Sequence, residues 1–365
     1  MNTIPLLVPQ MPTAARILPF LQEIDANRMY TNYGPLNARF EARIAAELGA
    51  GLSPANVSTV SNCTVGLELA LQALSLKPGA RVLLPAITFV ATATALLRAG
   101  LQPVLADVDA DTWVLTPAHA ESLLQSQRID AVLTVATFGF AHGPAGWDAL
   151  VQRHGVPVLI DAAGAFGNQA VGQHADVVFS FHATKSFGIG EGGAVVSRTP
   201  ERIARIRKLA NFGIDTRIAQ LDEPGTNGKL SEYHAAVGLA AFEQWAEVQE
   251  RRRFLHARYM ERLREVSPRL GFQRKAPDGV YPLLPVLLPA GRSAAETAAR
   301  LASQGIQTRR WYCPDLSLHP ALRDCAKADP LSVATDIGAR ILGLPFFLDL
   351  SDAQIDHVCR CIGEL

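Results

Sequence analysis

Short apolar runs alternate with longer amphipathic segments over the first two-thirds of the chain. Six runs are typical of strands: RVLLP (81–85), PVLADV (103–108), AVLTVAT (131–137), PVLID (157–161), VVFSF (177–181) and GAVVS (193–197). Helical periodicity predicts helices between them: residues 66–76, 91–100, 144–155 and 200–210. The runs alternate little between polar and apolar residues, as expected of strands that are buried on both faces. The pattern predicts an α/β fold with a mainly parallel sheet between helices.

The spacing of apolar residues changes after about residue 235. Residues 231–266 form an amphipathic stretch that predicts one or two helices. Two later apolar runs predict strands: 280–288 and 306–312. Ser351 is the predicted N-cap of a closing helix. We therefore expect a large α/β domain over residues 1–235 and a smaller, closely packed α+β domain over residues 236–365.

The composition favours a small-molecule partner. Lysine plus arginine equals aspartate plus glutamate at 34 each, so no basic excess favours nucleic acid or anionic lipid. The five cysteines are odd in number and lack zinc-ligand spacing, which predicts a reduced, cytoplasmic environment and no metal site. No apolar stretch approaches the roughly 20 residues that span a bilayer. We expect a protein without nucleic acid or membrane partners.

Lys185 is the residue that most restricts the chemistry. The chain has six lysines, and this one lies in FSFHATKSFGIGEGG (179–193), between an apolar run and a glycine-rich turn. Partial desolvation at such a place lowers the pKa of an amine and makes it nucleophilic. A Schiff-base lysine for pyridoxal 5′-phosphate (PLP) needs those properties.

Asp161 is the second candidate, because it ends the apolar run PVLID. Ligands of open α/β sheets bind outside the carboxyl ends of the strands. A carboxylate there can pair with the pyridine nitrogen of PLP and keep it protonated. The alternative is an aspartate that caps the following helix. The presence of Lys185 farther along the chain favours the cofactor role.

Weaker signals lie in three other segments. Ser61–Thr64 precede a helix whose start can attract a phosphate, although an ordinary N-cap has the same composition. Phe89 follows a strand and either stacks on a cofactor ring or packs in the core. The segment GIGEGG (188–193) does not fit a dinucleotide-binding motif, because the next segment is a predicted strand and not a helix.

Together these blocks resemble the DegT/DnrJ/EryC1/StrS family of sugar aminotransferases. The resemblance runs from TNYGPLNARFEARIAAELGA (31–50) to LGLPFFLDLSDAQIDHV (342–358), and FSFHATKSFGIGEGG is its most specific block. It implies the PLP-dependent transferase fold of type I. Such a fold has a large domain with a seven-stranded, mainly parallel sheet and a smaller C-terminal domain.

The resemblance also implies a role for each site residue. Lys185 would carry PLP as a Schiff base, Asp161 would face the pyridine nitrogen, and Phe89 would stack on the ring. Further cofactor contacts are implied for four residues: Cys63, Thr64, Ser180 and Asn227. The contact from Asn227 would reach the phosphate of the neighbouring subunit, which implies a homodimer with shared active sites.

Two positions depart from the family pattern. Gly164 stands where the family usually has glutamine or histidine, so a polar contact to the cofactor is lost or is replaced by water or substrate. Asn227 is followed by Gly228 and Lys229, where many relatives have a tyrosine or another residue and then arginine. Lys229 either contacts the phosphates of the substrate or is a surface lysine.

The implied reaction is an amino transfer from L-glutamate to a nucleotide-linked keto-deoxysugar, with PLP alternating with pyridoxamine phosphate. A dTDP-4-keto-6-deoxyhexose is the first candidate. A 3-keto sugar and a cyclitol ketone are alternatives, and a non-catalytic PLP-binding regulatory protein is the rival from another class. Synthesis of a surface polysaccharide and of an antibiotic sugar both fit.

Overall fold

The computed structural model describes residues 3–49, 51–215 and 217–364. The helices in these ranges are α1 (Ala14–Asn27), α2 (Pro35–Leu48), α3 (Cys63–Ala73), α4 (Val90–Arg98), α5 (Pro117–Ser126), α6 (Pro144–His154), α7 (Pro200–Ala210), α8 (Glu232–Glu243), α9 (Trp245–Val266), α10 (Ala294–Ser303), α11 (Ser332–Arg340) and α12 (Asp352–Gly363). The strands are β1 (Val57–Val60), β2 (Arg81–Pro85), β3 (Gln102–Ala106), β4 (Ala131–Val135), β5 (Val158–Asp161), β6 (Asp176–Ser180), β7 (Gly193–Val196), β8 (Ile214–Asp215), β9 (Gln220–Leu221), β10 (Leu284–Leu287), β11 (Ala326–Lys327) and β12 (Ile341–Leu344).

The large sheet has eight strands in the order β1-β7-β6-β5-β4-β2-β3-β11. Neighbours pair in parallel except at β7, which is antiparallel to both β1 and β6. The eighth strand, β11, has two residues and comes from the C-terminal region. All six apolar runs of the first 200 residues contain strands of this sheet, which confirms the predicted mainly parallel α/β architecture.

Helices cover both faces of this sheet, and alternate strand residues enter two separate cores. Leu83 packs in the core that includes Phe40 of α2. Its neighbours Val82 and Leu84 pack in the other core, with Leu67 of α3. Because both faces exclude water, each strand position favours an apolar residue. The apolar runs of the sequence therefore show no alternation.

The C-terminal region contains a third core. It is built from α9, α10, α12 and the antiparallel pair β10–β12, and it also includes Ile4. The predicted helical stretch 231–266 is two helices, α8 and α9, which meet at Gln244. Helix α8 packs in the core of the large sheet, against α1 and α2. The domain boundary between residues 235 and 236 stays a prediction.

Two predictions in the C-terminal region have different outcomes. Ser351 is the N-cap of α12, and its hydroxyl accepts from the Gln354 N–H, which confirms the prediction. The prediction of a strand over residues 306–312 is wrong. Ile306 and Arg309 form only isolated bridges, to Ile4 and Gly343 respectively, because two different segments cross this stretch. None of the described helices combines the length and apolarity that crossing a membrane requires.

Candidate active site

A cavity of about 760 Å³ opens at the carboxyl ends of β1, β2, β4, β5 and β6. These strands run in the same direction, so the turns that follow them meet at one edge of the sheet. The cavity is lined by seven of the residues singled out in the sequence: Cys63, Thr64, Phe89, Asp161, Gly164, Ser180 and Lys185. The fold thus brings together segments that are more than a hundred residues apart in the chain.

Asp161 is the last residue of β5 and is 5% exposed. The Thr92 hydroxyl donates to its Oδ2 atom at 2.8 Å, and the Ala163 N–H donates to its Oδ1 atom at 3.1 Å. Burial raises the pKa of this carboxyl, whereas the two hydrogen bonds and nearby Lys185 act in the opposite direction. A buried carboxylate with few donors favours a cationic partner.

Lys185 lies in the turn between β6 and β7. The backbone N–H of Lys185 donates to the backbone carbonyl of His182 at 2.9 Å. The glycine-rich segment folds back over this turn: a side chain at Gly188 would begin 2.8 Å from the Ala183 carbonyl oxygen, and Gly190 has a φ of +98°. The glycines are therefore required by the close return of the backbone. Burial lowers the pKa of the Lys185 amine, with Asp161 acting in the opposite direction.

Helix α3 begins at the cavity wall with Cys63 and Thr64. Asn62 is its N-cap, and the Asn62 side chain accepts from the Val65 N–H at 2.9 Å. The first-turn N–H groups that the cap leaves free can bind an anion such as a phosphate. Burial raises the pKa of the Cys63 thiol well above its usual range, so this side chain stays neutral beside an anion. Ser180, at the end of β6, also lines the cavity.

Aromatic rings form one wall of the cavity. Phe89 is 57% exposed, which excludes the alternative that it is an ordinary core residue. Its ring lies 6.0 Å from that of Tyr312, and Tyr312 stacks on Phe138 at 5.1 Å. Burial raises the pKa of the Tyr312 phenol, and Asp161 adds to the effect. The phenol is therefore a neutral hydrogen-bond donor at this wall.

Gly164 lies where the backbone of the cavity wall meets a proline. A Cβ atom at this position would be 3.3 Å from Cγ of Pro282 and 3.4 Å from the Gly139 nitrogen. The distance to Pro282 is tighter than most contacts of a real Cβ atom, and the distance to Gly139 is at the close limit of ordinary van der Waals contact. The departure from the usual glutamine or histidine thus coincides with Pro282, which itself lines the cavity.

Asn227 and Lys229 do not line the cavity of this chain. Asn227 is exposed and forms an isolated bridge with Asn211. The Lys229 amine lies 4.6 Å from the centre of the Phe212 ring. The neighbouring Gly228 carbonyl accepts from the Ser61 N–H at 2.7 Å, which fixes this loop beside the start of α3. The predicted role of Asn227 in a neighbouring subunit stays a prediction.

Six residues at the site were not singled out in the sequence. Five line the cavity, namely Thr88, Phe138, His182, Arg309 and Tyr312, and the buried Thr92 contacts Asp161. Thr88 and Thr92 had a usable signal, because a spacing of four places both on one side of a helix start. Their hydroxyls are 2.9 Å apart. Arg309 and Tyr312 had none, because their segment follows no strand of the large sheet.

A nucleophilic lysine, a buried carboxylate and a helix start around one cavity fit PLP. The carboxylate suits a protonated ring nitrogen, the amine suits the aldehyde, and the helix start suits the phosphate. The fold and the site define a PLP-dependent transferase of fold type I.

The comparison with known proteins identifies the family. Residues 13–363 match the DegT/DnrJ/EryC1/StrS aminotransferase family. The chain is 30% identical over 369 residues to the dTDP-4-amino-4,6-dideoxy-D-glucose transaminase of Shigella dysenteriae, covering 98% of this chain and 97% of that enzyme. It is 32% identical over 381 residues to a UDP-N-acetyl-3-dehydro-alpha-D-glucosamine 3-aminotransferase of Acidithiobacillus ferrooxidans, covering 97% of each.

A solved structure shows the same fold. The crystal structure of DesI in the presence of its TDP-sugar product has a TM-score of 0.88 and 31% identity, covering 100% of this chain and 93% of that one. The chain therefore belongs to the DegT/DnrJ/EryC1/StrS aminotransferase family. It is a PLP-dependent sugar aminotransferase, as its sequence blocks predicted, and not a non-catalytic regulator.

Proposed function

We propose that this enzyme transfers an amino group from L-glutamate to the 4-keto group of a dTDP-linked 6-deoxyhexose. The observation that carries the proposal is the shared cavity of Lys185 and Asp161 at the strand ends. The substrate class is supported by the similarity to the Shigella dysenteriae enzyme, whose name specifies a dTDP-linked 4-amino-4,6-dideoxyglucose.

Each residue contributes a defined property to the reaction. When bound, PLP supplies an electron sink for the negative charge that develops at the carbon losing its proton. The Asp161 carboxylate would hold the ring nitrogen protonated. The Lys185 amine, whose pKa is lowered by burial, would carry a proton from the donor carbon to C4′ of the cofactor, and in the second half-reaction from C4′ to the acceptor carbon.

The cavity wall would orient the bound groups and limit the access of water. The start of α3, with Cys63 and Thr64, would hold the phosphate, and Ser180 would add a hydroxyl. Phe89 would cover one face of the ring. Exclusion of water strengthens the electrostatic contact of a charged ring nitrogen with Asp161.

The proposed active unit is a cytoplasmic homodimer. Asn227 lies on an exposed loop beside the start of α3 and outside the cavity of its own chain. A second copy that faced this loop would receive Asn227 at its cofactor phosphate, and Lys229 is next to it. This placement supports a site that is built from two chains.

A 3-keto nucleotide sugar is the second candidate substrate. The similarity to the Acidithiobacillus ferrooxidans enzyme favours it, because that enzyme's name specifies a 3-dehydro sugar linked to UDP. The two candidates differ in the carbon that is aminated and in the nucleotide. A cyclitol ketone is a third acceptor to test.

The proposal is tested by two measurements on the PLP-loaded enzyme. Borohydride reduction and peptide mapping should place the cofactor on Lys185, and L-glutamate alone should convert the bound PLP to pyridoxamine phosphate. The enzyme is then offered dTDP-4-keto-6-deoxyhexose, a UDP-linked 3-keto sugar and a cyclitol ketone. Amination of only a 3-keto sugar or a cyclitol would contradict the substrate proposed, and a label on another lysine would contradict the role of Lys185.

A further inference from the structure

The charged groups around the cavity are mostly paired with one another. Arg98 donates to Glu68, with Nε and Oε1 2.6 Å apart. His182 faces Glu191, with Nε2 and Oε1 3.8 Å apart. The Arg98–Glu68 pair satisfies both of its charges within the chain, Glu191 has His182 beside it, and Lys185 and Asp161 are assigned to the cofactor.

Arg309 is the exception among the cavity residues that the structure describes. It lines the cavity, its side chain is exposed, and no carboxylate lies within ion-pair distance of its guanidinium in the described part of the chain. A guanidinium without an anionic partner at the wall of a substrate cavity is available to a ligand. Its planar array of donors matches the paired oxygens of a carboxylate or a phosphate.

The position of Arg309 is fixed by its surroundings. Its backbone N–H donates to the Gly343 carbonyl at 3.2 Å, and the Gly343 N–H donates to the Arg309 carbonyl at 2.7 Å. Its guanidinium carbon lies 4.6 Å from the centre of the Trp311 ring. Trp311 in turn packs so closely on Gly343 that a Cβ atom there would lie 2.4 Å from the indole. The stacked guanidinium is therefore oriented before a ligand arrives.

Both substrates of the proposed reaction carry anionic oxygens. The amino donor has an α-carboxylate, and the nucleotide sugar has a diphosphate. In an amino transfer of this kind the two enter the same cavity in turn. Resting on the proposed function, we propose that Arg309 is a substrate-binding residue that holds an anionic oxygen group of the donor, of the nucleotide sugar, or of each in turn.

Arg310 supplies a matched control, because it is the same residue type at the next position. Its Nη2 atom donates to the Gly338 carbonyl at 2.6 Å, and its side chain does not line the cavity. The test compares Arg309→Gln with Arg310→Gln and with Arg309→Lys, which keeps the charge but not the planar fork. Equal cofactor absorbance and circular dichroism show that all three variants fold.

The two half-reactions are measured separately. In one, the PLP form receives L-glutamate alone. In the other, the pyridoxamine phosphate form receives the keto-sugar nucleotide, and binding of dTDP is measured by calorimetry. We expect Arg309→Gln to raise the half-saturating concentration or the Kd in at least one arm by roughly 10-fold or more. Arg309→Lys should recover part of this loss, and Arg310→Gln should match the wild type.

The arms identify the anion. If the half-saturating concentration rises for glutamate alone, Arg309 binds the carboxylate. If the constants rise only for the sugar nucleotide and dTDP, Arg309 binds the diphosphate. A rise for both substrates assigns a shared contact. If Arg309→Gln and Arg310→Gln had equal half-saturating concentrations for both substrates and an equal Kd for dTDP, the inference would be overturned. A wrong sugar substrate appears instead as a failure of the wild-type enzyme. The glutamate arm then still reports on Arg309 whichever nucleotide the enzyme takes, and the dTDP arm does so where only the sugar is wrong.

Discussion

Thr92 holds the carboxylate on which the cofactor chemistry depends. Its hydroxyl donates to Asp161 Oδ2, and the Thr88 hydroxyl lies 2.9 Å behind it. A hydrogen bond to a charged group contributes more than one between neutral groups. The Thr88–Thr92–Asp161 chain therefore fixes the orientation of the Asp161 carboxylate toward its partner.

The first prediction concerns the loss of this donor. Thr92→Val keeps the side-chain shape, removes the hydroxyl, and should lower kcat by roughly 10- to 100-fold, as the loss of one charge-assisted hydrogen bond would. It should also alter the pH dependence of kcat, because the charge on Asp161 becomes less stable. Steady-state rates across pH measure both effects.

The control for Thr92 lies on the same helix. The Thr94 hydroxyl donates to the Ala91 carbonyl, and the hydrogen bonds described for the Asp161 carboxylate come from Thr92 and Ala163. Thr94→Val should leave the pH profile unchanged, and Thr92→Ser should restore most of the rate. An unchanged profile in Thr92→Val would show that Asp161 does not need this donor.

Lys275 is a buried amine that the reaction does not use. Its Nζ atom has no hydrogen-bond partner among the residues that the structure describes, and it lies 3.7 Å from the centre of the Tyr281 ring. Burial lowers its pKa from 10.5 to about 7. Between these two values the unfolded chain binds a proton that the folded chain lacks, so stability rises with pH through this window.

The second prediction follows from this rise of stability with pH. Lys275→Met should raise the free energy of unfolding by roughly 1–3 kcal/mol at pH 7, because the cost of an unpaired buried group disappears. The gain should be smaller at pH 10. Urea unfolding at both pH values tests this, with Lys77→Met, at an exposed position, as the control. A gain of equal size at both pH values would show that protonation of Lys275 is not its source.

Helices α11 and α12 begin in two different ways. Ser351 caps α12 from the adjacent position. The N-cap of α11, Leu331, has no side chain that can accept a hydrogen bond. Instead Asp107, which follows β3, accepts from the Val333 and Ala334 N–H groups at 2.9 and 2.7 Å. A residue that directly follows a strand of the large sheet thus caps a helix more than 220 positions later.

The third prediction concerns this remote cap. Asp107→Ala should lower the free energy of unfolding by roughly 1–2 kcal/mol, as losses of helix caps do. The urea midpoint measures the change. Asp111, which is exposed, gives the control variant Asp111→Ala. A midpoint equal to that of the control would show that α11 does not need Asp107.

The contrast between these caps shows what the sequence could predict. Ser351 was predictable because the signal and the helix are adjacent, and each long apolar run of the large sheet was predictable because both its faces are buried. Strand β1 was missed because its four residues include two polar ones, Ser58 and Thr59. The role of Asp107 was not predictable, because only the folded chain brings β3 and α11 together.

The same rule applies to the active site. Asp161 ends one apolar run of the large sheet and Lys185 lies four residues after another, so local sequence indicated their chemistry. Tyr312 and Arg309 reach the cavity from a segment without regular strand or helix structure. No local pattern marks such residues, because their position depends on bridges to Ile4 and Gly343.

At the scale of the whole molecule, the proposed sharing of active sites predicts complementation. Lys185→Ala and Asn227→Ala should each be strongly impaired. Unfolded and refolded together, the two variants should regain about a quarter of wild-type activity. Half of the dimers formed at random are mixed, and each has one intact site. Activity per mole of total protein measures this recovery.

The control mixture separates recovery from simple stabilisation. Lys185→Ala refolded with Asp161→Ala removes two residues that line the same cavity of one chain, so both sites of every mixed dimer are defective. This mixture should stay inactive. Recovery in neither mixture would contradict the proposed position of Asn227 in the partner's site.

The two-residue strand β11 has a consequence for synthesis of the protein. It lies at the outer edge of β3, and until residues 326–327 leave the ribosome that edge has unpaired backbone groups. The same late region also carries the helix that Asp107 caps. A nascent chain that stalls before residue 326 would expose an open strand to other chains, as sheet edges do. Premature termination near the end of this gene should therefore give aggregates and not a shorter, soluble enzyme.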